Sequence, residues 1–220
     1  LGELGYAMSD DEGSLGQALL TEGTIRHLIG KYTAKELIAA YNTLVQEYIF
    51  PKQKIETNIH ILDCTKLRVN PDNNHYEKAG VVTDDEGTSK GYKLASLRGI
   101  VGDSGLMEDI AFGPINVHDM KLSWDMLLTT PVLKPGDILI NDRGFLSREM
   151  INRLKRERGV DTYVPLRKNM DAYNFAVAIA KKDGKWKKHP SRSNQRIAFI
   201  DNLGDFWRST DAENDVPLNA

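Results

Sequence analysis

Cysteine is almost missing. A single residue, Cys64, in a chain of 220 excludes an intrachain disulfide and a cysteine-built zinc cluster. No apolar run approaches the ~18 residues that a membrane helix needs. The first thirty residues lack the basic start and apolar stretch of a secretory signal. The expectation is a cytoplasmic protein without a membrane partner. No glycine-rich phosphate loop is present, so no nucleotide cofactor is expected, and no serine nucleophile elbow appears. His27, His60, His75 and His189 show no metal-ligand spacing. An excess of positive charge is lacking too. Lys and Arg number 29 against 31 Asp and Glu, a net of −2, so the chain as a whole has no broad pull on nucleic acid.

What is present reads as a soluble globular chain, with 40% hydrophobic and 27% charged residues and a mean hydropathy of −0.43. The length fits one domain, or one with an attached piece. The chain opens on Leu1 rather than Met and closes on a polar stretch, Asn214 to Ala220, as a portion of a longer protein would. Charge is unevenly spread. Residues 1–152 hold 15 basic and 22 acidic residues, a net of −7. Residues 153–196 hold 13 and 4, a net of +9, and residues 197–220 hold 1 and 5, a net of −4. The +9 stretch is either a phosphate-contacting surface or a solvated helix and hairpin with ordinary surface lysines.

The pattern predicts an α/β order. Residues 1–32 are Gly-rich and weakly patterned. Thr33 and Glu36 form a capping box, followed by Leu37, Tyr41, Leu44 and Tyr48 at helical spacing up to Pro51. Asn58 to Cys64 reads as a strand and 70–90 as a polar loop. Tyr92 to Val101 and Ile110 to Val117 are strand-like, and Asp119 to Thr129 is helical. Asp137 to Asp142 is a strand, and a helix capped by Ser147 runs to Arg158 with Gly159 as its stop. Val160 to Leu166 is a further strand. Beyond about residue 170, Phe175 to Ala180, Lys185 to Lys188 and Arg196 to Ile200 read as short strands. The expected division is 1–56 as an N-terminal helical segment, 57–170 as an α/β core, and 171–220 as the start of a β-rich insertion.

Two strands carry the chemistry. Ile59, Ile61 and Asp63 share one face by the period of two, as do Ile138, Ile140 and Asp142. Each strand thus ends with a carboxylate on a face otherwise made of isoleucine, where an unpaired charge is costly. Open α/β sheets place their sites at strand carboxyl ends. On parallel neighbouring strands the two carboxylates would converge, and a divalent cation would relieve their repulsion. Oxygen ligands select Mg²⁺ or Mn²⁺. Either Asp taken alone would read first as a turn starter or helix cap; two such strands in one chain, and the segments that follow them, favour the converging pair. Arg143 and Gly144 follow Asp142, the first suited to a phosphate and the second to a tight turn or close backbone approach.

Four short motifs in this order, Ile-Leu-Asp63-Cys-Thr, Lys-Gly91-Tyr-Lys-Leu, Val117-His-Asp119 and Ile-Asn-Asp142-Arg-Gly-Phe, resemble the DDE transposases of bacterial insertion sequences. The similarity covers roughly residues 58–170 and is nearest to the branch with a β-strand insertion before its final Glu. The resemblance implies an RNase H-like mixed sheet flanked by helices. It implies double-stranded DNA and transposon ends as partners, and a homodimer on DNA. It also implies two Mg²⁺ or Mn²⁺ ions about 4 Å apart, with Asp63 bridging both and Asp142 binding one. The third ligand of that family is a Glu on a later helix. No such Glu stands out here, since Glu213 lies in a stretch without helical period, so this chain alone is expected to be inactive. Two other readings stay open: an RNase H-fold nuclease without strand transfer, and a non-catalytic DNA-binding remnant.

The remaining residues carry less. Lys181, Lys182, Lys185, Lys187 and Lys188, with Arg143, are the expected DNA contacts. Trp186 among them would stack on a base or pack on its own hairpin. Asp119 is expected to cap the helix that follows it. Cys64 alternates off the Asp63 face and is expected to be a buried small side chain.

Overall fold

Alternation of apolar and polar residues in the first half of the chain produces long strands, and these build the frame. The computed structural model describes residues 27, 30–49, 57–72, 76–85, 87–101, 104–184 and 186–220. The expected Pro51 stop and most of the Gly-rich start lie outside the described residues, as do His75 and Lys185.

Helix α1 (Ala34–Thr43) begins as expected. Glu36 N donates to Thr33 Oγ1, and Thr33 N donates to Glu36 Oε2 at 2.7 Å. Such a cap contributes about 1 kcal/mol. A π-helical stretch, Leu44–Ile49, extends it.

Strands β1 (Ile59–Val69), β2 (Gly80–Asp84), β3 (Gly87–Val101) and β4 (Ser104–Pro114) follow. The polar stretch 70–90 is therefore not all loop: it contains β2 and the start of β3. The first five residues of β3 pair with β2, and the first three of these form a two-stranded ribbon beyond the end of β1, where side chains need not be apolar. The acidic pair Glu108-Asp109 hides the first half of β4 in the sequence, yet both residues are buried there.

Helix α2 (Asp119–Thr129) leads to β5 (Ile138–Asn141), and a 3₁₀ turn, Arg143–Phe145, joins that to α3 (Arg148–Arg153). Ser147 caps α3, as expected, by accepting from Met150 N. The helix runs on through a π stretch, Leu154–Arg158, to Gly159, whose φ of +71° ends it at low steric cost. Strand β6 (Asp161–Tyr163) closes the frame.

Strand order is β2-β3-β1-β5-β6, with β4 also on β3. The pairs β1/β3, β2/β3 and β3/β4 are antiparallel, while β1/β5 and β5/β6 are parallel. One face is covered. Leu62, Ala95, Leu97 and Leu139 meet Met120, Met126, Leu127, Met150 and Leu154 from α2, α3 and the π stretch that follows α3. The guanidinium of Arg158 donates to the carbonyls of Leu128, Thr130 and Leu133 and so closes the loop between α2 and β5.

The last fifty residues differ from expectation at one element. Phe175 to Ala180 belongs to a helix, α4 (Asp171–Lys182), not to a strand. A short apolar run does not distinguish the two. Here four alanines favour the helix, and Ala172, Ala176, Ile179 and Ala180 line its inner side. The only β structure described there is the two-residue ladder of β7 (Lys187–Lys188) and β8 (Arg196–Ile197). Ala180, Ile200 and Leu203 form a small second core. The following segment is pinned to α3: Asn152 Nδ2 donates to Asp215 Oδ1, Val216 N donates to Asn152 Oδ1, and buried Arg148 donates to Val216 O. Among the described residues no helix is long and apolar enough to cross a membrane.

Candidate active site

Parallel pairing of β1 and β5 runs Ile59 to Ile138, His60 to Leu139, Ile61 to Ile140 and Leu62 to Asn141. Asp63, within β1, and Asp142, the first residue past β5, come next, so the register brings the two backbones side by side where β5 ends and β1 runs on to Val69. Both side chains are exposed. The isoleucine face on which they were expected to suffer burial is in fact the open one, with Ile61 36% and Ile140 39% exposed. The buried face carries His60, Leu62, Leu139 and Asn141 instead. Desolvation therefore does not burden these two carboxylates.

Each carboxylate is oriented by a local backbone donor. Cys64 N donates to Asp63 Oδ1 at 2.8 Å, and Gly144 N donates to Asp142 Oδ1 at 2.7 Å. Asp142 thereby caps the 3₁₀ turn, so the capping role and the exposed position coexist. Gly144 has a steric reason to be glycine. A Cβ there would lie 2.9 Å from Asp142 Oδ1 and 2.7 Å from Asp119 Oδ2, distances at which something must shift.

Asp119 is not the cap of α2. His118 holds that position, accepting from Met120 N through Nδ1. The Asp119 carboxylate instead receives a hydrogen bond from Lys93 Nζ at 2.5 Å. Cys64 is half-buried against the core. Burial first, then the Asp119 charge, pushes its thiol up to about 12 against the opposing charge of Lys93.

Glu149 sits in the first turn of α3 and Glu213 on a single 3₁₀ turn, both exposed. Neither joins the pair. Among the described residues no group of three or more His, Cys, Asp or Glu is disposed to hold a metal ion. Arg143 is exposed on the turn after Asp142. Lys181 and Lys182 are exposed in the last turn of α4, and Lys187 and Lys188 are exposed on β7. Trp186 is partly exposed beside them.

One cluster escaped the sequence reading. His60 Nδ1 lies 2.6 Å from Glu108 Oε2, and its Nε2 lies 3.2 Å from Asp137 Oδ2. Spacing gives no hint of it, because the three residues come from three separate elements. The one available signal is an apolar strand with a histidine at an inward position.

A mixed sheet in this order, flanked by helices and carrying one acidic residue within β1 and another just past the end of its parallel neighbour β5, is the layout of an RNase H-like core. The sequence model of the family described as "Transposase DDE domain" matches residues 56–199. That span is well over half of the chain, and the chain belongs to the DDE transposase family. No curated protein matches it.

Proposed function

We propose that this chain is the catalytic-core part of an insertion-sequence transposase that cleaves and joins DNA strands with the help of divalent cations. The parallel register that sets Asp63 beside Asp142 carries the reading. Two hard oxygen donors fit Mg²⁺ or Mn²⁺. Each carboxylate uses Oδ1 for a backbone N–H and leaves Oδ2 clear of protein donors among the described residues. Asp63 and Asp142 would hold the cations through their free oxygens. When bound, such cations polarise the phosphate and lower the cost of an attacking oxygen.

The protein's own residues do the rest. The Gly144 N–H fixes the rotamer of Asp142, and the Cys64 N–H fixes that of Asp63. Arg143, one residue past Asp142, is placed to pair with a phosphate of double-stranded DNA at a transposon end. Lys181, Lys182, Lys187 and Lys188, with Lys185, extend a basic surface for the duplex. A homodimer on DNA and a cytoplasmic location go with this reading. The domain division proposed is 1–56, 57–170 and 171–220.

No third acidic ligand stands beside the pair among the described residues, so this chain should cut DNA poorly. The test is Mg²⁺- or Mn²⁺-dependent nicking of supercoiled DNA by this chain beside Asp63→Asn and Asp142→Asn. The wild type should nick weakly, and either substitution should abolish nicking while DNA binding survives. Nicking that persists in Asp142→Asn would overturn the mechanism. Cleavage without joining of cut ends to a target would leave a nuclease instead.

A further inference from the structure

We propose that Asp119, anchored by Lys93, is a positioning residue for the cation site at Asp142, acting from outside the cation's own ligands. The inference rests on the reading above and adds a residue pair to it.

Lys93 is only 8% exposed. A buried ammonium needs partners, and it has two, Val117 O at 2.7 Å and Asp119 Oδ1 at 2.5 Å. The two bonds clamp the entry to α2 against β3. Because His118 performs the capping, the Asp119 carboxylate is not consumed in starting the helix. One of its oxygens is fixed by Lys93, and the other points across Gly144.

What lies across Gly144 is Asp142. A single point, the place a Cβ would occupy, is 2.7 Å from Asp119 Oδ2 and 2.9 Å from Asp142 Oδ1. The two oxygens are therefore no further apart than those distances together. They come from different elements, α2 and the turn after β5, and the absence of a side chain at residue 144 leaves both oxygens room to approach. Two carboxylates so placed repel each other unless positive charge is near. Lys93 supplies part of that charge from the Asp119 side. A cation held by Asp142 would supply the rest, and the fixed Asp119 charge would favour its retention. A fixed negative charge a few ångströms from a bound cation, partly screened by solvent, changes its affinity by about ten-fold. Together, Asp63, Asp119 and Asp142 do not form a ready ligand set, so the role is positioning rather than ligation.

The bland alternative is a tether: Lys93 and Asp119 hold α2 to β3 and do nothing more. Asp119→Asn separates the two, since the amide keeps an oxygen for Lys93 and removes the charge. Mn²⁺ alone is titrated calorimetrically into the 220-residue chain, wild type beside Asp119→Asn and Asp142→Asn, with a metal-free thermal melt of each. The expected result is Mn²⁺ affinity about ten-fold weaker in Asp119→Asn, in a protein that still folds but melts lower without metal, because buried Lys93 has lost its counter-charge; a tether alone would lower the melt and leave Mn²⁺ affinity unchanged. Unchanged Mn²⁺ affinity in Asp119→Asn, with binding lost in Asp142→Asn, would overturn this proposal and spare the cation site. Binding unchanged in Asp142→Asn as well would remove the cation site itself. Should Asp119→Asn fail to fold, Asp119→Glu keeps a charge for Lys93 while displacing the second oxygen. Weaker Mn²⁺ binding by Asp119→Glu supports the proposal, and wild-type binding overturns it.

Discussion

His60 on β1 and Glu108 on β4 meet at 2.6 Å inside the protein, 1% and 0% exposed, with Asp137 closing the other side of the ring. Burial works against a charged imidazole, but the Glu108 hydrogen bond and charge, then Asp137, outweigh it and raise the His60 pKa above its ordinary 6.5. Burial also raises Glu108 above 4.5, against the pull of His60. Both groups hold their protons more tightly folded than unfolded, so stability falls as pH rises. For His60 the stabilisation is fully present below about 6.5 and is lost as pH climbs through its folded value. Glu108 has the same sign from 4.5 upward. Thermal melts between pH 5.5 and 9 should show a falling Tm. His60→Gln should flatten that fall and destabilise by about 3–5 kcal/mol, since it strands two buried carboxylates. A Tm that rises over this range would contradict the assignment.

Asn42 on α1 pairs with one residue of an edge strand as another strand would. Its Nδ2 donates to Ile110 O, and its Oδ1 accepts from Ile110 N. Gln46 and Tyr41 add bonds to the carbonyls of Glu108 and Met107. Asn42→Ala should cost about 1–3 kcal/mol in denaturant unfolding, because it leaves Ile110 O without its partner, while Ile110 N keeps Asp109 Oδ1. It should also leave the β4 edge open to pairing with other chains. A loss within 0.5 kcal/mol, about the noise of a surface substitution, would show that α1 docks by other means.

The thiol of Cys64, pushed up to about 12 by burial and by the Asp119 charge, should remain protonated well into the alkaline range. Reaction with an aromatic disulfide reagent at pH 8 should be slow in the folded protein and fast once it is unfolded. Rapid stoichiometric reaction of the folded chain at pH 8 would contradict this.

Neutralising Lys181, Lys182, Lys185, Lys187 and Lys188 together should weaken DNA binding at low salt. Every phosphate that is no longer neutralised should take roughly 0.9 off the slope of log affinity against log salt. An unchanged slope in filter-binding or anisotropy titrations would assign these lysines to solubility alone.

Much of this frame is legible in the sequence because its signals are local. The Thr33–Glu36 box, the Ser147 cap and the Gly159 stop each rest on residues within one turn. The short apolar alternations ending in Asp63 and Asp142 mark β1 and β5, although β1 runs on through a polar half to Val69 that the alternation does not reveal. What was not legible depends on distant partners. The first half of β4 looks polar because the partner of Glu108, His60, lies 48 positions away. The stretch 70–90 looks like loop because a solvent-exposed ribbon asks little of its side chains. The α4 run Phe175 to Ala180 is too short and apolar for its period to choose between strand and helix. At the site, alternation found the face shared by Asp63 and the isoleucines but not which face is covered. The approach of Asp119 to Asp142 over Gly144 is a tertiary meeting that no spacing encodes.

Whether Asp63 and Asp142 share one cation is best measured by a double-mutant cycle on Mn²⁺ binding, with wild type, Asp63→Asn, Asp142→Asn and the double variant titrated calorimetrically at one pH and salt. Sharing requires that the two losses not add. The expected result is weak saturable binding in the wild type, loss in either single variant, and no further loss in the double. Small independent losses that sum in the double variant, or binding that persists through all four proteins, would contradict a shared cation.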